Sequence, residues 1–168
     1  HKVRAYHQLE SAAATFATRA SAKLRRQGSV CGKVSLYLTT NRFDEQRRSV
    51  WREARLPEAT ADTGRIIEAA LSLLEELYDP EFSYQKVAVS LHNIVDREAW
   101  QLSLTDPVLA RDRQERLMRG VDALNKKYGA GTVWHAAEDK VRADWHSKHA
   151  LRSPQYTTRW EELPRVGK

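Results

Sequence analysis

The sequence predicts an α+β domain: two amphipathic helices on one face of an antiparallel or mixed sheet, then a smaller, mostly helical C-terminal region. Three observations predict it. Apolar residues recur at spacings of three and four over residues 9–26 and 63–78. They alternate with polar residues over 30–40, 49–56 and 86–92. The periods succeed one another in the order α-β-β-α-β, and Val3 and Ala5, alternating with Arg4 and Tyr6, offer the tail of an earlier strand. Residues 1–95 therefore read β-α-β-β-α-β.

The first helix has Leu9, Ala13, Phe16, Ala20 and Leu24 on one stripe and a basic row of Arg19, Lys23 and Arg26 beside it, with Gly28 placed to end it. In the next strand Val34, Leu36 and Leu38 face one way and Lys33, Ser35, Tyr37 and Thr39 the other. Residues 41–48 form a polar connection. The strand after it carries Trp51, Arg52 and Arg55, and residues 57–61 are expected to be a loop. In the second helix Ile66, Ile67, Ala70, Leu71, Leu74 and Leu77 form the buried face, Asp62 is the expected N-cap, and Asp79-Pro80 stops it. Val87, Val89 and Leu91 of the third strand point inward; Lys86, Ala88, Ser90 and His92 point outward. Residues 96–109 read as a tether. A third helix is expected over 110–128 with Leu117, Met118, Val121 and Leu124 buried, a short strand over 132–136, a helix over 141–151 and an irregular tail beyond.

The chain has 168 residues, 41% of them hydrophobic and 30% charged, which is enough apolar material for a core without staples. Cys31 is the single cysteine, so an internal disulfide and a cysteine-based zinc site are excluded. No apolar run approaches the roughly 18 residues of a membrane span. The opening His1-Lys2-Val3-Arg4 is not a signal peptide, and the missing initiator Met suggests a chain cut from something longer.

Charge is uneven. Residues 1–57 hold twelve Lys/Arg against four Asp/Glu; residues 58–100 hold three against nine; residues 101–168 hold thirteen against nine. A basic block beside an acidic one describes a domain with one cationic face, suited to nucleic acid. Catalytic chemistry finds little support. Asp44-Glu45, Glu75-Glu76 and Glu161-Glu162 are paired acids, but a two-metal site needs carboxylates converging from separate elements. His146 and His149 lack a third ligand with suitable spacing, and no phosphate-binding glycine motif or nucleophile motif is present. Trp134, Trp145 and Trp160 in the tail are expected mostly to pack a small subdomain.

Several segments follow the order of a known family. They are His1-Lys2-Val3-Arg4-Ala5-Tyr6, Phe16-Ala17-Thr18-Arg19-Ala20, Lys23-Leu24-Arg25 and Tyr84-Gln85-Lys86-Val87-Ala88-Val89. Gln101-Leu102-Ser103-Leu104, Asp122-Ala123-Leu124-Asn125, Gly131-Thr132-Val133 and Ser153-Pro154-Gln155-Tyr156-Thr157-Thr158-Arg159 continue the series. Together they resemble the C-terminal part of Y-family translesion DNA polymerases of the UmuC, MucB, ImpB and RumB type, over nearly the whole chain. The resemblance implies that residues 1–95 are a little-finger domain with a four-stranded sheet, entered midway through its first strand. It implies that the catalytic carboxylates, and the Mg they hold, belong to an N-terminal palm that this sequence lacks. This chain is then expected to need no cofactor and to polymerise nothing by itself.

It further implies a place in SOS mutagenesis in the bacterial cytoplasm, on the nucleoid when bound to DNA, with primer–template DNA as partner. The candidates for gripping phosphates are Lys33, Ser35, Tyr37, Thr39, Arg42, Arg47, Arg48, Arg52, Arg55 and Lys86. Gln101, Leu102, Ser103, Leu104 and Thr105 are similar to the clamp-binding pentapeptide of bacterial polymerases, within the tether 96–109. Gln101 would enter a polar slot and the two leucines an apolar pocket. Thr105 departs from the aromatic of the pattern. Residues 110–168 are the expected partner-binding region, for a UmuD-type dimer or RecA. The competing expectation is a protein-interaction module for clamp, UmuD or RecA with negligible DNA affinity of its own.

Overall fold

The computed structural model describes residues 5–43, 45–97, 108–139 and 161. Its elements run α1 (Tyr6–Arg26), β1 (Ser29–Thr40), β2 (Ser49–Thr60), α2 (Thr63–Leu77), β3 (Tyr84–Asp96) and α3 (Val108–Tyr128), followed by a 3-10 turn, Ala136–Glu138. Among the described residues the sheet has three strands, all antiparallel, in the order β2-β1-β3. The α+β class and the order α-β-β-α-β are as expected. The leading strand differs. Tyr6 begins α1, and its ring packs edge-on against Tyr78 at the end of α2, centroids 5.0 Å apart. That contact holds the residue in the first helical turn. Val3 and Arg4 lie outside the described residues.

The core lies between the two helices and one sheet face. From β1 come Val34, Leu36 and Leu38, all fully buried; from α2 come Ile66, Ile67, Ala70, Leu73, Leu74 and Leu77. Val50 and Ala54 of β2 and Val87, Val89 and Leu91 of β3 pack on its margin. Helix α1 buries Ala12, Ala13, Ala14 and Ala17, small side chains that let its backbone approach its neighbours closely. Ser21 Oγ and Thr63 Oγ1, 2.8 Å apart in the interior, tie α1 to the start of α2. Asp62 caps α2 as its position predicts, accepting the Arg65 N–H at 2.8 Å. Burial pushes the Cys31 thiol up to about 11, so it is a protonated core group at neutral pH.

Residues 57–61 are not a loop: β2 runs on to Thr60. Lys33 pairs with Arg55 and Cys31 with Thr60, so the residues between form an extended bulge. Leu56 and Ala59 are buried there, which keeps the segment against the domain. Pro57 is tolerated because β2 is an edge strand and a bulged proline removes no ladder hydrogen bond. The side-chain alternation slips at the same point: Cys31 and Val34, three residues apart, both reach the core.

Beyond β3, α3 begins at Val108 and ends at Tyr128, where Gly129 takes a φ of 108°. Its apolar side is turned inward only in part. Leu117 and Leu124 are 56% and 44% exposed, while Met118 and Val121 are half-buried. The helix meets the domain through polar groups instead. Asp122 receives both fork nitrogens of Arg25 at 2.7 Å, Gln114 donates to Asp62 at 2.7 Å, and Glu115 pairs with Arg97. The short strand expected over 132–136 does not form. Asn125 clamps Val133 with two 2.9 Å bonds, occupying the N–H and C=O that a strand partner would need, and His135 caps the 3-10 turn. Glu138 is buried on α1, its carboxylate accepting from Thr18 at 3.2 Å and its carbonyl from Ser11 at 2.5 Å. The helix expected over 141–151, the tail after it, Trp145, Trp160, His146 and His149 lie outside the described residues. Among the described residues no helix is long and apolar enough to cross a membrane.

Candidate nucleic-acid interface

The sheet face turned away from the helices collects the candidate residues. Strand pairing arranges it in rows: Arg55, Lys33 and His92; Glu53, Ser35 and Ser90; Trp51, Tyr37 and Ala88; Ser49, Thr39 and Lys86. Side chains directly opposite across a ladder share a face, so all twelve positions lie on one surface. The predicted grouping of Lys33, Ser35, Tyr37 and Thr39 is what the burial alternation of β1 produces.

The rows divide by chemistry. In the first two, Lys33 and Ser35 already have partners on the face: Lys33 Nζ donates to Glu53 at 2.5 Å, and Ser35 Oγ meets His92 Nε2 at 2.8 Å. The Lys33 hydrogen bond holds the Glu53 carboxyl below its ordinary range. Other cations on and beside the face stand open. Arg47 on the β1–β2 connection and Lys86 on β3 have no ion-pair partner among the described residues, nor do Arg42 and Arg55. The Tyr37 phenol receives a hydrogen bond from Ser49 Oγ at 2.8 Å. Its pKa is lowered, chiefly by that bond, then by one with Thr39, with the positive charges of Arg47 and Lys86 adding to the effect against slight desolvation. Thr39 Oγ1 donates to the carbonyls of Thr40 and Arg48, each at 3.2 Å.

Two arginines proposed from position alone do not belong to this surface. Arg52 pairs with Leu36, which faces the core, and sits between Val50 and Ala54 on the helix side. It reaches along the sheet edge to Glu76 of α2 at 3.0 Å. Arg48 is a brace: it pairs with Asp79 beyond α2 and stacks on Phe82, 4.8 Å from the ring centre. Counting basic residues in a strand region missed the parity that assigns each a side.

The same parity reveals a feature that charge alone did not. Trp51 is 63% exposed beside Tyr37, and Phe43, 78% exposed, lies under Arg42 at 4.6 Å. Reading β2 with period two from Val50 inward places Trp51 outward, so the signal was present in the sequence. Gln101, Leu102, Ser103, Leu104 and Thr105 lie outside the described residues, between the end of β3 at Asp96 and the start of α3 at Val108. Among the described residues no group of three or more His, Cys, Asp and Glu is placed to hold a metal. A cavity of about 430 Å³ under α3 carries Arg25, Arg65 and Arg97 matched against Asp122, Glu58 and Glu115. Arg119 and Asp62 also line it, so four arginines face four carboxylates and the lining has no net positive charge to favour an anion.

A polar, partly cationic sheet face lies opposite two packed helices. Comparison with known proteins gives the family. Residues 1–104 match the model of the impB/mucB/samB family C-terminal domain, and residues 115–166 match a domain of unknown function, DUF4113. Protein SamB of Salmonella typhimurium is 32% identical over 165 residues, 97% of this chain and 38% of the relative. Protein UmuC of Salmonella typhimurium strain LT2 is 32% identical over 167 residues, 98% of this chain and 39% of the relative. DNA polymerase IV of Desulfatibacillum aliphaticivorans is 28% identical over 120 residues, 71% and 29% of the two chains. The chain belongs to the impB/mucB/samB family and corresponds to the C-terminal part of UmuC-type Y-family polymerases. It spans less than two-fifths of the length of these curated relatives.

Proposed function

We propose that this chain is a non-catalytic positioning module of an error-prone translesion polymerase. It grips primer–template DNA by the phosphate backbone through the outer sheet face and tethers a sliding clamp through Gln101, Leu102, Ser103, Leu104 and Thr105. The observation that carries the first part is the set of exposed cations without carboxylate partners among the described residues, Arg42, Arg47, Arg55 and Lys86, on and beside one surface. Unpaired cations release counterions from DNA without first breaking a salt bridge, and phosphate contacts carry no sequence information. That tolerance suits a polymerase moving over varied templates. No side chain in this reading performs chemistry; the role is to hold substrate and clamp near a catalytic core supplied by the rest of such a polymerase, where Mg would act.

The test is fluorescence anisotropy of a labelled primer–template duplex at several salt concentrations. Four phosphate contacts give a slope of log K against log salt of about −3.6. Replacing Arg47 and Lys86 together by Ala is expected to flatten that slope by about 1.8 and to weaken binding equally on unrelated duplex sequences. Absence of binding at low salt refutes the DNA-gripping role. For the tether, Thr105→Phe is expected to raise affinity for a bacterial clamp about ten- to a hundredfold, because it restores a buried ring to the pattern. No gain on that change, with Leu104→Ala also neutral, refutes the tether.

One observation favours the competing reading, a protein-interaction module that binds the clamp, a UmuD-type dimer or RecA with little DNA affinity. Leu117, Leu124, Tyr128 and Trp134 are exposed on and just after α3. Apolar association is nearly insensitive to salt, so the same titration separates the two.

A further inference from the structure

The aromatic row of the outer sheet face has a chemistry that phosphate binding does not use. Trp51, Tyr37 and Ala88 stand side by side across the three strands. The Trp51 ring is 63% exposed, and the Tyr37 ring is pinned by the Ser49 hydrogen bond at 2.8 Å. Ala88 is small and exposed, so nothing on that side rises above the rings. One row along, about 7 Å away at two residues per repeat, is Lys86, with Arg47 on the adjoining connection. Glu53, the acid nearest Trp51 on the face, is held by Lys33. A neighbouring pair of exposed aromatic side chains with cations on one flank is complementary to an unpaired nucleobase and its phosphate. The interior of a duplex cannot use it, since both faces of each base there are already stacked.

We infer that Trp51 and Tyr37 form a stacking subsite for a base of single-stranded DNA, next to the phosphate-gripping cations, so that this face engages the single-stranded template as well as the duplex. The inference rests on the DNA-binding reading above and adds a ligand class to it. The neighbourhood of the two features lets one strand occupy both: base on the rings, flanking phosphates on Lys86 and Arg47.

The experiment uses the full chain and three labelled probes, each titrated at several salt concentrations: a twelve-residue oligothymidine, an abasic strand of the same length and charge, and a twelve-base-pair duplex. Stacking on an aromatic is sequence-tolerant and strong enough to read by substitution. The oligothymidine is expected to bind about tenfold more tightly than the abasic strand. Trp51→Ala is expected to remove that advantage while changing duplex affinity less than twofold, and Trp51→Phe to restore part of it. Circular dichroism and a urea melt of each variant check that the fold is retained; Trp51 is mostly exposed, so little change is expected. Equal binding of thymidine and abasic strands, or an equal loss of strand and duplex affinity in Trp51→Ala, overturns the stacking subsite. If the duplex binds with a steep salt slope in that case, the phosphate-gripping role survives without it. If no probe binds, both fail.

Discussion

Leu36→Ala is expected to destabilise the domain by about 3–4 kcal/mol, the largest effect of any single change proposed for this chain. Leu36 is fully buried at the centre of β1, the middle strand, with Val89 on one side and Arg52 on the other. It packs in the cluster shared by α1 and α2, including Leu9, Ile66 and Leu74. A void there cannot collapse without moving a strand that is hydrogen-bonded on both edges, so the cavity contribution adds to the lost burial. Urea unfolding measures it: with a slope of about 1–3 kcal/mol/M, the midpoint falls by more than about 1 M. Ser90→Ala, exposed on the opposite face, is the control and is expected to stay within about 0.5 kcal/mol. A cost below about 1 kcal/mol at Leu36 would mean that sheet and helices do not share one tightly packed core.

Arg25→Ala is expected to cost about 2–3 kcal/mol and to release α3. One guanidinium makes four contacts here. Nε and Nη2 fork onto Asp122 at 2.7 Å, and Nη1 donates to the Ala61 carbonyl and Thr63 Oγ1 at 2.8 Å. Its side chain is only 13% exposed and that of Asp122 36%. Removing the cation therefore strands a half-covered carboxylate and takes a donor from the Ala61 carbonyl, leaving Thr63 Oγ1 to Ser21 alone, which costs more than losing an exposed pair would. Arg25→Lys is a poor rescue, since an ammonium cannot reproduce the planar fork. The measurement is hydrogen exchange of the α3 amides beside a urea melt. Faster exchange in α3 with β1 unchanged is expected, and coupling between Arg25→Ala and Asp122→Ala identifies the pair. Unchanged α3 exchange would show that other contacts hold the helix.

These two positions mark different degrees of legibility. Leu36 could be placed from sequence because a half-buried strand writes its orientation into every second residue. The burial of Val34, Leu36 and Leu38 and the exposed side of Lys86, Ala88, Ser90 and His92 follow from that alternation alone. The two helices are equally local: a 3.6-residue stripe and, for α2, the Asp62 cap. Arg25 was legible only as one more cation of a basic helix. Its partner is 97 residues away in sequence, and no periodicity announces a salt bridge at that distance.

The site shows the same division. That one face would carry Lys33, Ser35, Tyr37 and Thr39 required nothing beyond the pleat of β1. Which arginines join them follows from the parity of β2 counted from Val50, and its pairing with β1 fixes it. The register puts Arg55 opposite Lys33 on the outer face and Arg52 opposite Leu36 on the inner one, three residues apart in the chain. Pro57 argued locally for a loop, yet Leu56 and Ala59 bury enough apolar surface to keep the bulged strand in place. Leu117 and Leu124 form a stripe that local reasoning turns inward; polar anchors at Gln114, Glu115 and Asp122 turn the helix so that both leucines are exposed. Element type, order, and the buried face of the two helices and the central strand arise from periodicities within a few residues, and a single chain displays them. Register, helix rotation and the pairing of charges arise from contacts between distant segments, whose energies are settled only when the segments meet.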